Sequence, residues 1–320
     1  MQIRKILKKS LLYAPYIDIK ARYINKYPIF YTKYRYKKFY NEKLDLKTPT
    51  KLSEKIQYLK LFNYPKNNLV VLASDKFTLH KYLKEKKLSE YAIPYIEVFE
   101  NINQIDFNRL PNKFVLKKTN ASGMNLIVKD KQKLNFEKIR TEIEGWMNID
   151  FGLKTAERHY SASTSRIICE PYLDLGDEFR FFMVSGNIAF IQVIKWDWNS
   201  SEDGNRLEND DIILGHRKHY RLHFDSNFQL LWADKDVPNT LITLPNYMET
   251  MRDVASTIGN DFSVVRVDFN EVEKKPKITE LTFTPANGFL DILKYMPEDD
   301  TKFGTWIDNN DLDIKMEDNF

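Results

Sequence analysis

The chain has 320 residues, of which 42% are hydrophobic and 29% charged, a balance that supports a folded core and excludes a globally disordered chain. Its single cysteine, Cys169, excludes an intrachain disulfide and a cysteine-built zinc site, and suits a reducing compartment. No run of about 18 uncharged apolar residues occurs, and the basic start MQIRKILKKSLLYAPYIDIK lacks the long apolar core of a secretory signal, so a cytoplasmic protein is expected.

Residues 1–60 read as helical, with breaks at Pro15, Pro28 and Pro49. They hold sixteen Lys/Arg against Asp18, Glu42, Asp45 and Glu54, a surplus of about +12 in a chain of net charge +4. Tyr13, Tyr16, Tyr23, Tyr27, Tyr31, Tyr34, Tyr36 and Tyr40 are interleaved with them. That mixture suits anionic lipid, an acidic glycan or nucleic acid, and equally a plain solvated helical face. No recognition-helix motif appears, so nucleic acid is not the expected partner. TPTKLSEKIQYLKLF (48–62) resembles a helix start, and SDKFTLHKYLKEKKL (74–88) reads as one helix capped by Ser74. YAIPYIEVFE (91–100) is strand-like. KFVLKK (113–118) and NLIVKD (125–130) read as strands around TNASGM, followed by a helix over 134–148. RIICEPYL (166–173) is a strand, and 177–195 is a hairpin turning at Ser185-Gly186-Asn187. Residues 197–215 are polar and aperiodic and read as a mobile loop. A helix over 247–259 stops at Gly259, strands 262–270 and 277–285 flank a charged turn, and the tail after Trp306 is acidic.

The last two strands carry the chemistry. Alternation puts Val264, Arg266, Asp268 and Asn270 on one side of the first, and Ile278, Glu280, Thr282 and Thr284 on one side of the second. Val265, Val267, Phe269, Leu281 and Phe283 take the other side. A hairpin turning near Lys274 sets Asp268 opposite Glu280 and Arg266 opposite Thr282. Carboxylates about 5 Å apart repel unless a positive group lies between them. A divalent cation answers that, and hard oxygen donors suit Mg²⁺ with substrate phosphates; a surface hairpin whose acids meet lysine or water is the other answer. Lys117 leads into a loop with Ala121, Ser122 and Gly123, small enough for backbone N–H groups to approach phosphate, or simply a hairpin loop. Lys76 opens a helix as a second cation. No G-x-x-x-x-G-K-[ST], G-x-G-x-x-G, H-E-x-x-H or G-x-S-x-G occurs.

In this order, Asp75-Lys76, FVLKKTNASGMNLIV, IICEPYL, EFRFFMVSGN, VVRVDF and ITELTFTPANGF resemble the ATP-grasp superfamily. SEKIQYLKL, VRVDF and ELTFTP bring it nearest to the TupA-like (teichuronopeptide biosynthesis) amidoligase branch, over roughly residues 51–289. The resemblance implies an α+β ATP-grasp fold in which two α+β subdomains grip ATP. The implied divisions are a basic helical segment 1–50, a helix/strand region 51–110, a small subdomain with the lid loop 111–175, a C-terminal subdomain with the metal site 176–305 and an acidic tail 306–320. By the same resemblance, Lys76 and Lys117 meet ATP phosphates under a 119–125 lid containing Ser122 and Gly123. Glu170 to Leu173, including Tyr172, form the adenine hinge, and Glu178 meets the ribose region. Arg180 and Arg266 join the catalytic set, Asp268, Glu280 and Thr282 are the Mg²⁺ ligands, and His219 and Arg221 contact the acceptor or the acyl phosphate. Pro285, Asn287 and Gly288 form a turn bordering the substrate.

The expected function is therefore an ATP-dependent carboxylate–amine ligase working through an acyl phosphate, with ATP and Mg²⁺ as cofactors. The branch implies a uronic acid joined to an amino acid or amine in a cell-surface or capsular polysaccharide. The alternatives are a glycosyltransferase of polysaccharide biosynthesis, separable by its choice of a sugar nucleotide over ATP, and a non-catalytic basic adaptor on membrane or acidic glycan. The basic segment adds an expected peripheral contact at the inner face of an anionic membrane.

Overall fold

The computed structural model describes residues 13–197, 219–308 and 312. The expected loop at 197–215, apart from Asp197, and the acidic tail beyond Asp308, apart from Leu312, lie outside the described residues. In chain order the helices are α1 (Tyr13–Lys26), α2 (Pro28–Tyr40), α3 (Leu52–Tyr58), α4 (Asn68–Ser74), α5 (Leu79–Glu85), α6 (Phe136–Met147), α7 (Phe151–Thr155), α8 (Met248–Gly259), α9 (Asp291–Tyr295) and α10 (Pro297–Gly304). The strands are β1 (Glu97–Phe99), β2 (Phe114–Lys118), β3 (Asn125–Val128), β4 (Ile167–Pro171), β5 (Glu178–Val184), β6 (Asn187–Trp196), β7 (His219–Phe224), β8 (Leu230–Ala233), β9 (Val264–Val272) and β10 (Lys275–Thr282).

The strands form two antiparallel sheets, one ordered β1-β4-β2-β3 and the other β10-β9-β5-β6-β7-β8. Both lie in a compact unit made of Leu72–Ile149 and Ser163–Phe283. In the small sheet Phe114, Leu116, Leu126, Val128, Ile167 and Cys169 form one apolar face, covered by Ile139 and Ile143 of α6. Each such fully buried side chain contributes roughly 1.5–3 kcal/mol. Burial pushes the Cys169 thiol up to about 12, so this cysteine is a packing residue. In the large sheet Phe179, Phe181, Val265, Val267 and Phe269 are fully buried on one side. Met251, Ala255 and Ile258 of α8, at helical spacing, are buried with them. Gly259 ends α8 against Met183, where a Cβ would stand 3.1 Å from the methionine Cβ. The other side of the large sheet carries the polar Arg180, Gln192, Arg266 and Asp268 beside the stacked Phe182 and Phe190.

A second compact unit comprises the described residues of Met1–Val71, Asp150–Ala162 and Thr284–Phe320. It is helical and held by a buried polar network: Tyr36 meets Ser53 at 2.8 Å, and Ser53 donates through N and Oγ to Asp300 at 2.7 and 2.6 Å. Pro28 starts α2, as expected, but Pro15 does not break α1, which is helical from Tyr13 to Lys26.

Other elements also differ from the sequence expectation. Ser74 ends α4 instead of capping 74–88. Asp75 then accepts from Phe77 and Thr78 N–H at 3.0 Å each, which turns the chain before α5. Only Glu97–Phe99 of the 91–100 run pairs as strand.

Candidate functional site

A two-residue turn at Glu273 and Lys274, both with positive φ, joins β9 to β10. The ladder runs from Val272–Lys275 to Phe269–Ile278, then shifts by one residue. The extra residue is Thr279, whose hydroxyl donates to the Asp268 carbonyl at 3.2 Å. This bulge brings Glu280 opposite Asp268 and Thr282 opposite Arg266, the pairs expected from sequence. It also corrects one detail: Ile278 pairs with Phe269 on the apolar side and does not share the face of Glu280.

The positive group between the carboxylates is Arg266, two residues before Asp268 on the same face. Its Nε donates to Asp268 Oδ1 at 2.6 Å and its Nη2 to Asp268 Oδ2 at 2.5 Å. Nη2 also reaches Thr282 Oγ1 at 3.2 Å and Glu280 Oε1 at 3.4 Å. Thr282 donates to Glu280 Oε1 at 3.1 Å. Desolvation works against the charge on Arg266, but Asp268 and Glu280 hold its pKa above the ordinary value. Burial pushes Asp268 up, with Arg266 opposing. Desolvation also acts upward on Glu280, yet Lys76 and Arg266 bring it down to about 2.

Lys76 ties this cluster to the loop after β2. Its backbone N donates to Thr119 O at 3.1 Å, its Nζ donates to Ala121 O at 2.7 Å, and Nζ lies 3.7 Å from Glu280 Oε2. Ser122 and Gly123 are exposed at the tip of that loop, where Gly123 takes φ 72°. Lys117 and Glu170, on the small-sheet face away from its core, pair at 2.5 Å. Tyr172 and Leu173 follow β4, and the Tyr172 hydroxyl donates to Asp174 at 3.1 Å.

On β5, Arg180 stands in register between Asp268 of β9 and Gln192 of β6. It donates to both oxygens of Glu178 at 2.9 and 2.8 Å, and to Gln192 Oε1 at 3.0 Å. With its carbonyl end so fixed, Gln192 donates from Nε2 to His223 Nε2 at 2.9 Å. That nitrogen must offer a lone pair, so His223 is neutral with its proton on Nδ1. Burial first, then Arg221, lowers its pKa to about 4, in agreement. Gln192 and His223 were missed by sequence reasoning; the signal was Gln192 as the one polar residue in IAFIQVI.

Arg221 and His219 are not brought to the carboxylate pair. They sit on β7, three strands from β9, roughly 14 Å at the usual strand spacing. Arg221 pairs with Asp234 at 3.0 Å, and the His219 ring packs 5.2 Å from Trp196. Asn287 and Gly288 lie in the helical second unit, in the turn Pro285–Gly288, with Ala286, Asn287 and Gly288 all left-handed.

Among the described residues no group of three or more His, Cys, Asp or Glu could hold a metal ion. Asp268 and Glu280 are a pair and not a cage. A pair suits Mg²⁺, which takes one or two carboxylates and completes its octahedron from water and phosphate oxygens. Each carboxylate has about four lone-pair sites, so donors remain beyond those Arg266 occupies, and the residues fit such an ion.

The two antiparallel sheets carry Lys76, Arg266 and the opposed carboxylates at the β9–β10 end, and residues 54–202, which include Lys76 and the small sheet but not that hairpin, match an ATP-grasp family model. Within that class, the matching family is described as TupA-like ATPgrasp, which bears out the resemblance over that span. No curated protein matches. Solved structures similar to the chain include D-alanine–D-alanine ligase from Bacillus anthracis, at 16% identity and TM-score 0.44, covering 74% of this chain and 66% of that one. L-amino acid ligase from Bacillus licheniformis follows at 12% identity and TM-score 0.40, with 68% and 44% covered. N5-carboxyaminoimidazole synthetase from Staphylococcus aureus, complexed with ADP, stands at 13% and 0.40, with 69% and 47% covered. The chain spans less than two thirds of the length of these three structures.

Proposed function

We propose that the protein is an ATP-dependent carboxylate–amine ligase that forms an amide through an acyl phosphate. The observation that carries this reading is the β9–β10 cluster, in which Lys76 and Arg266 flank the opposed Asp268 and Glu280. A carboxylate oxygen of the substrate attacks the γ-phosphorus of ATP and ADP leaves. The amine nitrogen then attacks the acyl carbon, the carbon–oxygen bond to phosphate breaks, and the nitrogen loses a proton. No covalent enzyme nucleophile is required, and the buried Cys169 is unsuited to be one.

Asp268 and Glu280, with the Thr282 hydroxyl, would hold a magnesium ion, which supplies charge neutralisation on the transferred phosphoryl group. Arg266 fixes both carboxylates in position, and Arg180, held by Glu178 and Gln192, presents a second guanidinium one strand away. Lys76 and Lys117 receive phosphates by exchanging their present partners, Ala121 O and Glu170, for phosphate oxygens. The backbone N–H groups of Ser122 and Gly123 close over those phosphates. Glu170, Tyr172 and Leu173 line the base, and Glu178 meets the ribose. Loss of one such electrostatic contact costs about 10²–10³ in turnover. The finer substrate reading, a uronic acid of a cell-surface or capsular polysaccharide joined to an amino acid or amine, rests on the resemblance to the TupA-like branch alone.

The test is ADP release with uronic acids paired with amino acids, with hydroxylamine added to trap the acyl phosphate. Acid-dependent ADP release with hydroxamate formation is expected, and Lys76→Ala and Lys117→Ala should weaken ATP binding more than adenosine binding. ADP release indifferent to any carboxylate, or turnover of a sugar nucleotide in place of ATP, would overturn the reading.

A further inference from the structure

α1 and α2 turn one face inward and leave another uncovered. Ile24, Thr32 and Tyr36 are buried, and Arg158 donates to Asn25 O at 2.7 Å, which fixes α1 in its unit. On the outer side Ile19 is 67% exposed, Phe30 64% and Tyr34 59%, with Tyr23 and Tyr27 nearly half exposed. These residues follow helical spacing, Ile19–Tyr23–Tyr27 on one helix and its exit, Phe30–Tyr34 on the next. The two rows join: the Tyr23 ring stands 5.4 Å from Tyr27 and 6.4 Å from Phe30. A contiguous exposed aromatic patch is the kind of surface that a soluble helix normally avoids.

The surrounding charge is one-signed. From Ile19 to Asn41 the sequence has Lys20, Arg22, Lys26, Lys33, Arg35, Lys37 and Lys38 and no Asp or Glu. All but the half-buried Arg35 are exposed. No helix among the described residues is long and apolar enough to cross a membrane.

We propose that this face of α1 and α2 is a docking surface for an anionic membrane, with the aromatic stripe at the headgroup–acyl boundary and the lysines on anionic headgroups. Interfacial helices combine these two features, an apolar stripe with flanking Lys/Arg. A second copy of the chain is opposed by charge, because self-association would set seven basic residues against seven. A hydrated acidic glycan matches the lysines but offers nothing apolar for Ile19 and Phe30.

The test is sedimentation of the full chain with vesicles of phosphatidylcholine alone or mixed with phosphatidylserine. Binding to the mixed vesicles at low salt is expected, with little to phosphatidylcholine and a several-fold loss as salt rises. The double variants Phe30→Ser/Tyr34→Ser and Lys33→Glu/Lys37→Glu should each lower the bound fraction several-fold. All four positions are exposed, so circular dichroism and ATP turnover should be unchanged. The proposal is overturned by absence of sedimentation at low salt, or by double variants that sediment like the unchanged chain. It is also overturned if those variants abolish a concentration-dependent dimer seen by light scattering, or capture by a polyuronate, without affecting vesicles.

Discussion

Arg266 and Lys60 are both cations set among polar groups, one in each compact unit, the first with a side chain 12% exposed and the second buried, and their surroundings drive them in opposite directions. Arg266 has Asp268 in a two-pronged contact and Glu280 and Thr282 within 3.4 Å, and its pKa is held above the ordinary value. Lys60, 1% exposed in the π-helical turn Leu59–Asn63, meets the Asn287 side-chain oxygen at 3.1 Å and its carbonyl at 3.3 Å. Burial lowers it to about 7, with Glu157 pulling upward and Arg35 downward. Carbonyl dipoles offset the desolvation of a cation only in part, whereas a carboxylate in contact offsets most of it. Desolvation therefore leaves a permanent charge in one unit and a titrating one in the other.

The largest break in this comparison is Asp268→Asn. It removes the partner of a largely buried guanidinium, which costs about 3–5 kcal/mol, and ATP turnover should be lost. Denaturant midpoints read the stability and ADP release reads the turnover; a variant of unchanged stability would mean that Arg266 does not depend on Asp268.

Lys60→Met should behave in the opposite way. The folded pKa of about 7 lies below the unfolded value of 10.5. The unfolded state therefore binds more protons between these limits, and stability rises with pH across that window. Put the other way, stability present above about pH 10 is lost as pH falls toward 7, by an amount on the order of a few kcal/mol. The methionine variant should lack this slope and be at least as stable as the unchanged chain near pH 7. Unfolding at pH 7, 8.5 and 10 checks it, and parallel curves for the two proteins would refute it.

A smaller effect sharpens the contrast. Glu157→Gln keeps an oxygen for the Thr284 hydroxyl, which now donates to the Glu157 carboxylate, but removes the negative charge that supports Lys60. The upward slope should then extend below pH 7, with about 1 kcal/mol lost at neutral pH. An unmoved slope would show that Glu157 does not act on Lys60.

Much of the geometry of the β9–β10 cluster was legible in the sequence, because strand periodicity is local. VVRVDF and ITELTF put Arg266, Asp268, Glu280 and Thr282 on one side of a hairpin by alternation alone. Alternation could not show the bulge at Thr279. Without it, the tight turn at Glu273-Lys274 would set Glu280 against Val267 and point it into the core, since a one-residue slip reverses every side chain beyond it. Nor could it show that Arg266, and not only a cation from solution, lies between the carboxylates.

The sequence by itself determined the two-sided strands, the polar face of the β9–β10 hairpin, the small loop beside Lys117 and the charge surplus of the N-terminal helices. Each depends on residues a few positions apart. Only the tertiary structure decided that Lys76 reaches Glu280, that Gln192 and His223 extend the row from Arg180, and that Arg221 lies three strands away. It also decided that Lys60 is buried against Asn287, 227 residues away in sequence, because that unit is assembled from three separate segments of the chain. Those contacts are set by strand order and chain return, which a local period does not encode.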